Sequence, residues 1–270
     1  IMINQYIPLI INFACCSTLL RAKPLGEKRK KFTISKSYKK ITIFYGRQTI
    51  NKTAYSFKML EDVYFFMEDG HYRPLCEPYQ KLAIIVPYRF REKQFKIFLN
   101  NVIPRLYRQN QEFAIYLVEQ ADINPFNKGI LVNIGFQHAI ADRQFDCIVV
   151  HDVDVLPEDD RNLYFCGNQY VYHLAGKVNK MNYSTNRGII SLSISQYKNI
   201  NGFSNAFCGW GGEDDDFEHR YDLVRNYTII YKNTEMIQNK SRSVLFQVIK
   251  PFTVRKSWLS HANVIFRPYH

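Results

Sequence analysis

The clearest order in the chain is an alternation of two hydrophobic patterns between residues 81 and 150. Residues 81–87 (KLAIIVP) form a continuous apolar run closed by a proline, the pattern of a strand buried on both faces. Over residues 91–107, Phe95, Phe98, Leu99 and Val102 fall at i, i+3, i+4 and i+7, so the spacing predicts an amphipathic helix. Residues 113–119 (FAIYLVE) read as a second strand, and 127–141 as a second helix with Leu131, Ile134 and His138 on one face. Residues 147–150 (CIVV) form a third strand that runs straight into His151-Asp-Val-Asp154. Strand, helix, strand, helix, strand at this spacing predicts a doubly wound α/β unit with parallel strands. Ligands in such sheets bind beyond the carboxyl ends of the strands. Pro87-Tyr-Arg-Phe-Arg91 and Asp152-Val-Asp154 both fall there.

Charge changes this picture mainly at the two ends. The 270 residues carry a formal net charge of +12, which invites a nucleic-acid reading. Residues 1–50 hold ten Lys/Arg against Glu27 alone, and residues 239–270 hold six Lys/Arg and no acid. What remains, 51–238, is mildly acidic at −3. A body of that sign argues against a phosphate-binding face, so no nucleic-acid partner is expected. Residues 1–20 have no charged side chain and enough apolar residues to approach the about 20 that span a bilayer. Asn4, Gln5, Pro8 and Asn12 interrupt them, so a truncated signal anchor and a buried segment both fit. Residues 21–55, polar and basic, read as a stem, leaving 56–270 as one folded unit. The six cysteines contain no C-x-x-C pair, which disfavours a zinc cluster. Four N-x-S/T sequons, at Asn51, Asn182, Asn226 and Asn239, lean towards the secretory pathway.

Two acidic constellations carry the chemistry. Asp152 and Asp154, two residues apart on an extended segment, point the same way and suit a hard cation that also touches a diphosphate. A solvated turn after a strand accounts for that pair equally well. The second constellation, Phe207-Cys-Gly-Trp-Gly-Gly-Glu-Asp-Asp-Asp-Phe217, shifts the balance. Gly209, Gly211 and Gly212 allow close backbone approach to a ligand, and Trp210 offers a flat face to a sugar ring. Glu213 to Asp216 open a helix that ends near Asn226. One or two acids there serve the helix N-terminus, but four exceed that need. Carboxylates crowded together raise one another's pKa, which suits a general base.

These segments, with 126–137 (FNKGILVNIGFQ), 151–164 (HDVDVLPEDDRNLY), 200–205 (INGFSN) and 86–92 (VPYRFRE), resemble the animal β1,4-galactosyltransferase family, including its N-acetylgalactosaminyltransferases and xylose-acceptor enzyme. The likeness runs from about Gly70 to about Met236. It implies a nucleotide-diphospho-sugar transferase (GT-A, Rossmann-like) fold with a mostly parallel central sheet. It also implies Golgi type II topology with an N-terminal membrane anchor, Mn²⁺ dependence and inversion at the anomeric carbon. Carried over by position, Pro87, Tyr88, Arg89 and Arg91 would hold uridine and diphosphate, with Phe126, Asn127 and Lys128 lining the same pocket. The family more often has Arg where Lys128 stands. Asp152 and Val153 would meet the nucleoside, Lys180 the UDP, and Trp210 both donor and acceptor. Gly212, Glu213, Asp214 and Asp215 would bind the acceptor, with Asp214 as base. Cys147 and Cys166 would form a disulfide, which implies an oxidising compartment.

The implied metal ligands are Asp154 and Met236. A family histidine three residues after the methionine is replaced by Asn239, which offers an oxygen in place of an imidazole. The residue at the family's donor-selecting position is Thr185, small enough to admit an N-acetyl group. The expected donor is therefore UDP-galactose or UDP-GalNAc, and the expected acceptor a glycan ending in GlcNAc or xylose. The altered metal set keeps a second reading open, a sugar-binding member of the same fold with weak or no turnover.

Overall fold

In a computed structural model of the chain, residues 44–226 are described, apart from 76, 121, 176, 179–180, 183–187 and 210. The expectations placed on residues 1–20, most of the stem, Lys180, Thr185, Trp210, Met236 and Asn239 lie outside the described residues.

The first helix, α1 (Phe57–Val63), opens on Ser56, whose side chain accepts from the Met59 N–H. A two-residue strand, β1 (His71–Tyr72), leads to the apolar run, which is strand β2 (Lys81–Tyr88), fully buried from Leu82 onward. Helix α2 (Glu92–Arg108) follows and buries Phe95, Phe98, Leu99 and Val102, the stripe read from the sequence. Pro104 inside α2 has no N–H for the Asn100 carbonyl, and the Tyr64 hydroxyl donates to that oxygen at 3.4 Å. Next come β3 (Glu112–Glu119), α3 (Lys128–Asp142) and β4 (Cys147–His151). The expected five-element unit is present, with each boundary within one residue of its sequence reading.

Beyond it, β5 (Tyr172–His173), β6 (Lys177–Val178), β7 (Met181–Asn182), β8 (Ile189–Ser193), α4 (Ile194–Ile200) and α5 (Glu213–Asn226) complete the chain's described part. The main sheet runs β1-β3-β2-β4-β8-β5. Its central strands β3, β2 and β4 are parallel, while β1, β8 and β5 join antiparallel. The α/β fold with a parallel centre is therefore as expected, framed by antiparallel flanks. Pairing of β2 with β4 stops at Ile85–Val150, so Pro87 sits past the end of β4 and its missing N–H leaves no gap in that ladder.

The sheet has a core on each face. One packs α2 against Leu82, Ile84, Val86, Phe113 and Val149, and the other packs α3 against Ala83, Ile85, Tyr116, Val118 and Ile148. Cys147 and Cys166 form a disulfide with Cα atoms 5.6 Å apart, tying β4 to the loop that follows the acidic turn. Part of the segment assigned to the stem is docked on this body. The Tyr45 and Gly46 N–H groups donate to the buried Asp160 carboxylate at 2.9 and 2.8 Å, and Asn51 exchanges bonds with Asn101. These contacts extend the folded unit back from residue 56 to Tyr45. They are polar contacts to backbone groups, which leave no trace in a hydrophobic pattern.

Helix α3 approaches the sheet through Gly135, where an added Cβ would lie 2.5 Å from Ile85 Cγ2 and 3.0 Å from Val118 Cγ2. Alanine is the better helix former by about 1 kcal/mol, but overpacking of this kind costs about 1–3 kcal/mol. Gly135→Ala is thus expected to lower the urea unfolding free energy, and an unchanged or raised value would contradict the close approach.

Candidate active site

The carboxyl ends of β2, β3 and β4 open towards the N-terminus of α3, and the site is assembled there. Asn127 caps α3: its Oδ1 accepts from the Ile130 N–H at 2.9 Å, while its Nδ2 donates to the Asn205 carbonyl and to Cys208 Sγ. Its own N–H donates to Gln120 Oε1 at 2.8 Å. Asn127 therefore ties the start of α3 to Gln120 through its backbone and to the 205–208 loop through its side chain. Gln120, buried at the end of β3, also donates to Asp122 and to the carbonyls of Asn124 and Pro125. A lone glutamine after a strand gave no sequence signal for that role.

Capping fixes the next residue, Lys128. Its ammonium lies 3.1 Å from Asp152 Oδ1, 3.1 Å from Asp214 Oδ1 and 3.8 Å from Glu213 Oε1. Asp152 belongs to the end of β4, and Glu213 and Asp214 open α5. One cation thus joins two acidic constellations that are some sixty residues apart in the chain. Lys128, Glu213 and Asp214 are each less than a tenth exposed. Burial pushes the Asp214 carboxyl up to about 6; the Lys128 charge opposes this, and Asp152 and Glu213 add to it. Burial pulls the Lys128 ammonium down, but Asp152, Asp214 and Glu213 together outweigh that and hold it above the ordinary lysine range. The sequence anticipated a raised carboxyl pKa from crowding; burial proves to be the larger cause.

The four acids of α5 divide their work. Asp216 pairs with Arg220 one turn on at 2.7 Å, and Arg220 also donates to the Ile200 and Gly202 carbonyls, so Asp216 is structural. Asp215 is exposed. Gly212, at φ 93°, makes the turn into α5, and a Cβ there would meet the Phe207 ring at 2.7 Å.

On the β4 side, Val153 alternates inward. It is buried in the core with Ile189 and Ala175, so its side chain anchors the turn. Asp152, partly buried, and Asp154, exposed, flank it and serve different cations. Asp152 turns to Lys128, while half-exposed Asp154 pairs with Arg91 at 3.0 Å. Phe90, in the left-handed region at φ 51°, separates Arg91 from Arg89. Arg89 donates to the Asn124 carbonyl and lies 5.4 Å over the Phe126 ring. Tyr88 is buried beside Phe95, and burial with Glu119 and Glu92 pushes its hydroxyl up to about 12.

Asp154 supplies a hard oxygen donor of the kind Mn²⁺ or Mg²⁺ takes together with phosphate oxygens. Among the described residues no cluster of three His, Cys, Asp or Glu side chains gathers there. The chemistry fits a cation held by one carboxylate in company with a diphosphate.

Two family models match this chain: the N-terminal region of glycosyl transferase group 7 over residues 38–167, and the N-terminal domain of galactosyltransferase over residues 172–237. The chain belongs to the β1,4-galactosyltransferase family. It is 42 % identical to rat β1,4-galactosyltransferase 6 over 188 residues, which is 66 % of this chain and 49 % of the relative. To pig β1,4-galactosyltransferase 5 it is 46 % identical over 157 residues, 56 % of this chain and 40 % of the relative. A β-N-acetyl-D-glucosaminide β-1,4-N-acetylglucosaminyl-transferase of Lymnaea stagnalis is 41 % identical over 182 residues, 65 % of this chain and 37 % of that protein. The chain therefore spans half or less of the length of these curated relatives. A mutant Drosophila β1,4-galactosyltransferase 7, crystallised with manganese, UDP-Gal and xylobiose, matches with a TM-score of 0.48 at 35 % identity, over 52 % of this chain and 60 % of that one.

Beneath the acidic turn of this family member, His151 is fully buried. Its ring nitrogens meet the Asp152 carbonyl at 2.9 Å and the Tyr164 hydroxyl at 2.8 Å, and Phe98 packs edge-on against it. Burial depresses its pKa from 6.5 to about 4. A depressed folded-state pKa means that stability is present above pH 6.5 and is lost as pH falls towards 4, by up to about 3 kcal/mol. Urea unfolding between pH 7.5 and 4.5 should therefore show a steeper loss for wild type than for His151→Asn. Equal slopes would mean that His151 does not titrate on unfolding.

Proposed function

We propose that this chain is the catalytic unit of an inverting, UDP-sugar-dependent β1,4-glycosyltransferase. It would transfer galactose, or N-acetylgalactosamine, to a glycan acceptor ending in GlcNAc or xylose. The observation that carries this reading is the meeting of Asp152, Asp214 and Glu213 on one ammonium at the carboxyl ends of parallel strands. The donor side is the strand-end surface of Tyr88, Arg89, Arg91 and Asp154, and the acceptor side is the start of α5.

In this reading Asp214 takes the proton from the acceptor hydroxyl. The freed oxygen pair attacks C1 of the donor sugar from the face opposite the diphosphate, the bond from C1 to the UDP oxygen breaks, and UDP leaves with that pair. A divalent cation, Mn²⁺ by family resemblance, would be held by Asp154 with Met236 and would neutralise diphosphate charge. Arg91 supplies a second positive group beside it. The exposed Arg91–Asp154 pair is of a kind worth about 0–1 kcal/mol, so parting it to admit those partners costs little.

The cellular setting belongs to the same proposal: the lumenal face of the Golgi, with residues 1–20 as membrane anchor. The Cys147–Cys166 disulfide supports an oxidising compartment. None of the described helices is long and apolar enough to cross a membrane, and residues 1–20 lie outside them.

The test is UDP release with Mn²⁺, using UDP-Gal and UDP-GalNAc as donors and GlcNAc and xylose as acceptors. Wild type is expected to release UDP only with metal and acceptor together, and Asp214→Asn to lose about 10²–10⁴-fold in turnover while still binding UDP. The rate should fall as pH drops through about 6, because only the ionised carboxylate accepts the proton. Sugar binding with no release would favour the non-catalytic reading and sink the transferase.

A further inference from the structure

Lys128 does more than the donor-lining role its position implied. Its Nζ reaches both oxygens of Asp214, at 3.1 and 3.2 Å, and both oxygens of Asp152, at 3.1 and 3.4 Å. An ammonium shared by two carboxylates fixes the direction of the buried one, because Asp214 cannot rotate away from it without leaving its own charge unpaired. The lysine is itself held in place. Asn127 caps the helix that carries it, and an added Cβ on Gly129 would lie 2.2 Å from the Ser204 carbonyl oxygen, so α3 meets the 203–208 loop without slack. That same loop leads into Gly212 and Asp214.

We propose that Lys128 is the positioning residue of the base: by gripping Asp152 and Asp214 together it aims the Asp214 carboxylate at the acceptor and couples the donor-side strand β4 to the acceptor-side helix α5. The proposal rests on the transferase reading above. The charged groups facing Asp214 are Lys128 from α3, Asp152 from the end of β4 and Glu213 from α5. With Lys128 removed, only like charges remain among them. The base would then be harder to ionise as well as poorly aimed.

The experiment compares wild type, Lys128→Met and Lys128→Arg in the full chain. The readouts are pH profiles of transfer, separate kcat and KM for donor and acceptor, and a ¹³C titration of the Asp214 carboxyl assigned by its loss in Asp214→Asn. In Lys128→Met the acid limb of the rate profile and the carboxyl midpoint should both rise by about one pH unit or more. Its kcat should fall by about 10²-fold. Lys128→Arg should bring the midpoint back towards wild type. Lys128→Gln makes the same comparison if the methionine variant does not fold. An unmoved midpoint with a raised donor KM would reduce Lys128 to a donor contact, and an unmoved midpoint with only a lower melting temperature would reduce it to a structural one. Both outcomes overturn the proposal. If wild type transfers no sugar, the transferase reading has failed by itself, and the carboxyl titration still decides whether Lys128 governs Asp214.

Discussion

A buried ammonium facing three carboxylates is the constraint around which the rest of the molecule is arranged. Asp152, Glu213 and Asp214 would repel one another if brought together alone, and Lys128 is what lets them share a site. Such a cluster holds only if its cation cannot drift. The chain meets that demand with a capped helix start, a loop pinned to Asn127 and a glycine that brings the backbone of α3 against Ser204. On the other side of the cation, Val153 and His151 are sunk in the core, so the acidic turn stands on a rigid base.

This arrangement also divides the charges by function. Deep pairs around Lys128 are held tightly, because removing one partner would strand a charge away from water. The Arg91–Asp154 pair at the rim is half exposed and readily parted. A nucleotide and its cation would enter at the rim, where exchange is easy, and the proton transfer would take place at the interior group whose geometry is fixed.

Much of the fold was legible in the sequence because it is written in apolar periods. Strands β2, β3 and β4 and helices α2 and α3 are long, strongly patterned and close in sequence. Strand β8 and helix α4, joined through a capping box of Ser193 and Gln196, formed no part of that apolar pattern. The docking of residues 45–51 left no trace in it, because it depends on backbone N–H groups meeting Asp160 and Asn101. The acidic constellations could be read as residue types, but their partners could not. Lys128 lies 86 residues from Asp214, and the resemblance that singled it out implied a donor contact, with no pointer to the carboxylates it holds. Two carboxylates on one side of an extended segment also require the residue between them to point the other way, and Val153 does so, into the core.

The most direct test of the whole account is a crystal structure of the chain with UDP, Mn²⁺ and a GlcNAc or xylose acceptor. The diphosphate is expected beside Arg91 and the metal on Asp154. The acceptor hydroxyl is expected within hydrogen-bond reach of an Asp214 carboxylate that Lys128 still holds. An acceptor bound away from Asp214, or a Lys128 ammonium turned onto the diphosphate with Asp214 released, would contradict it.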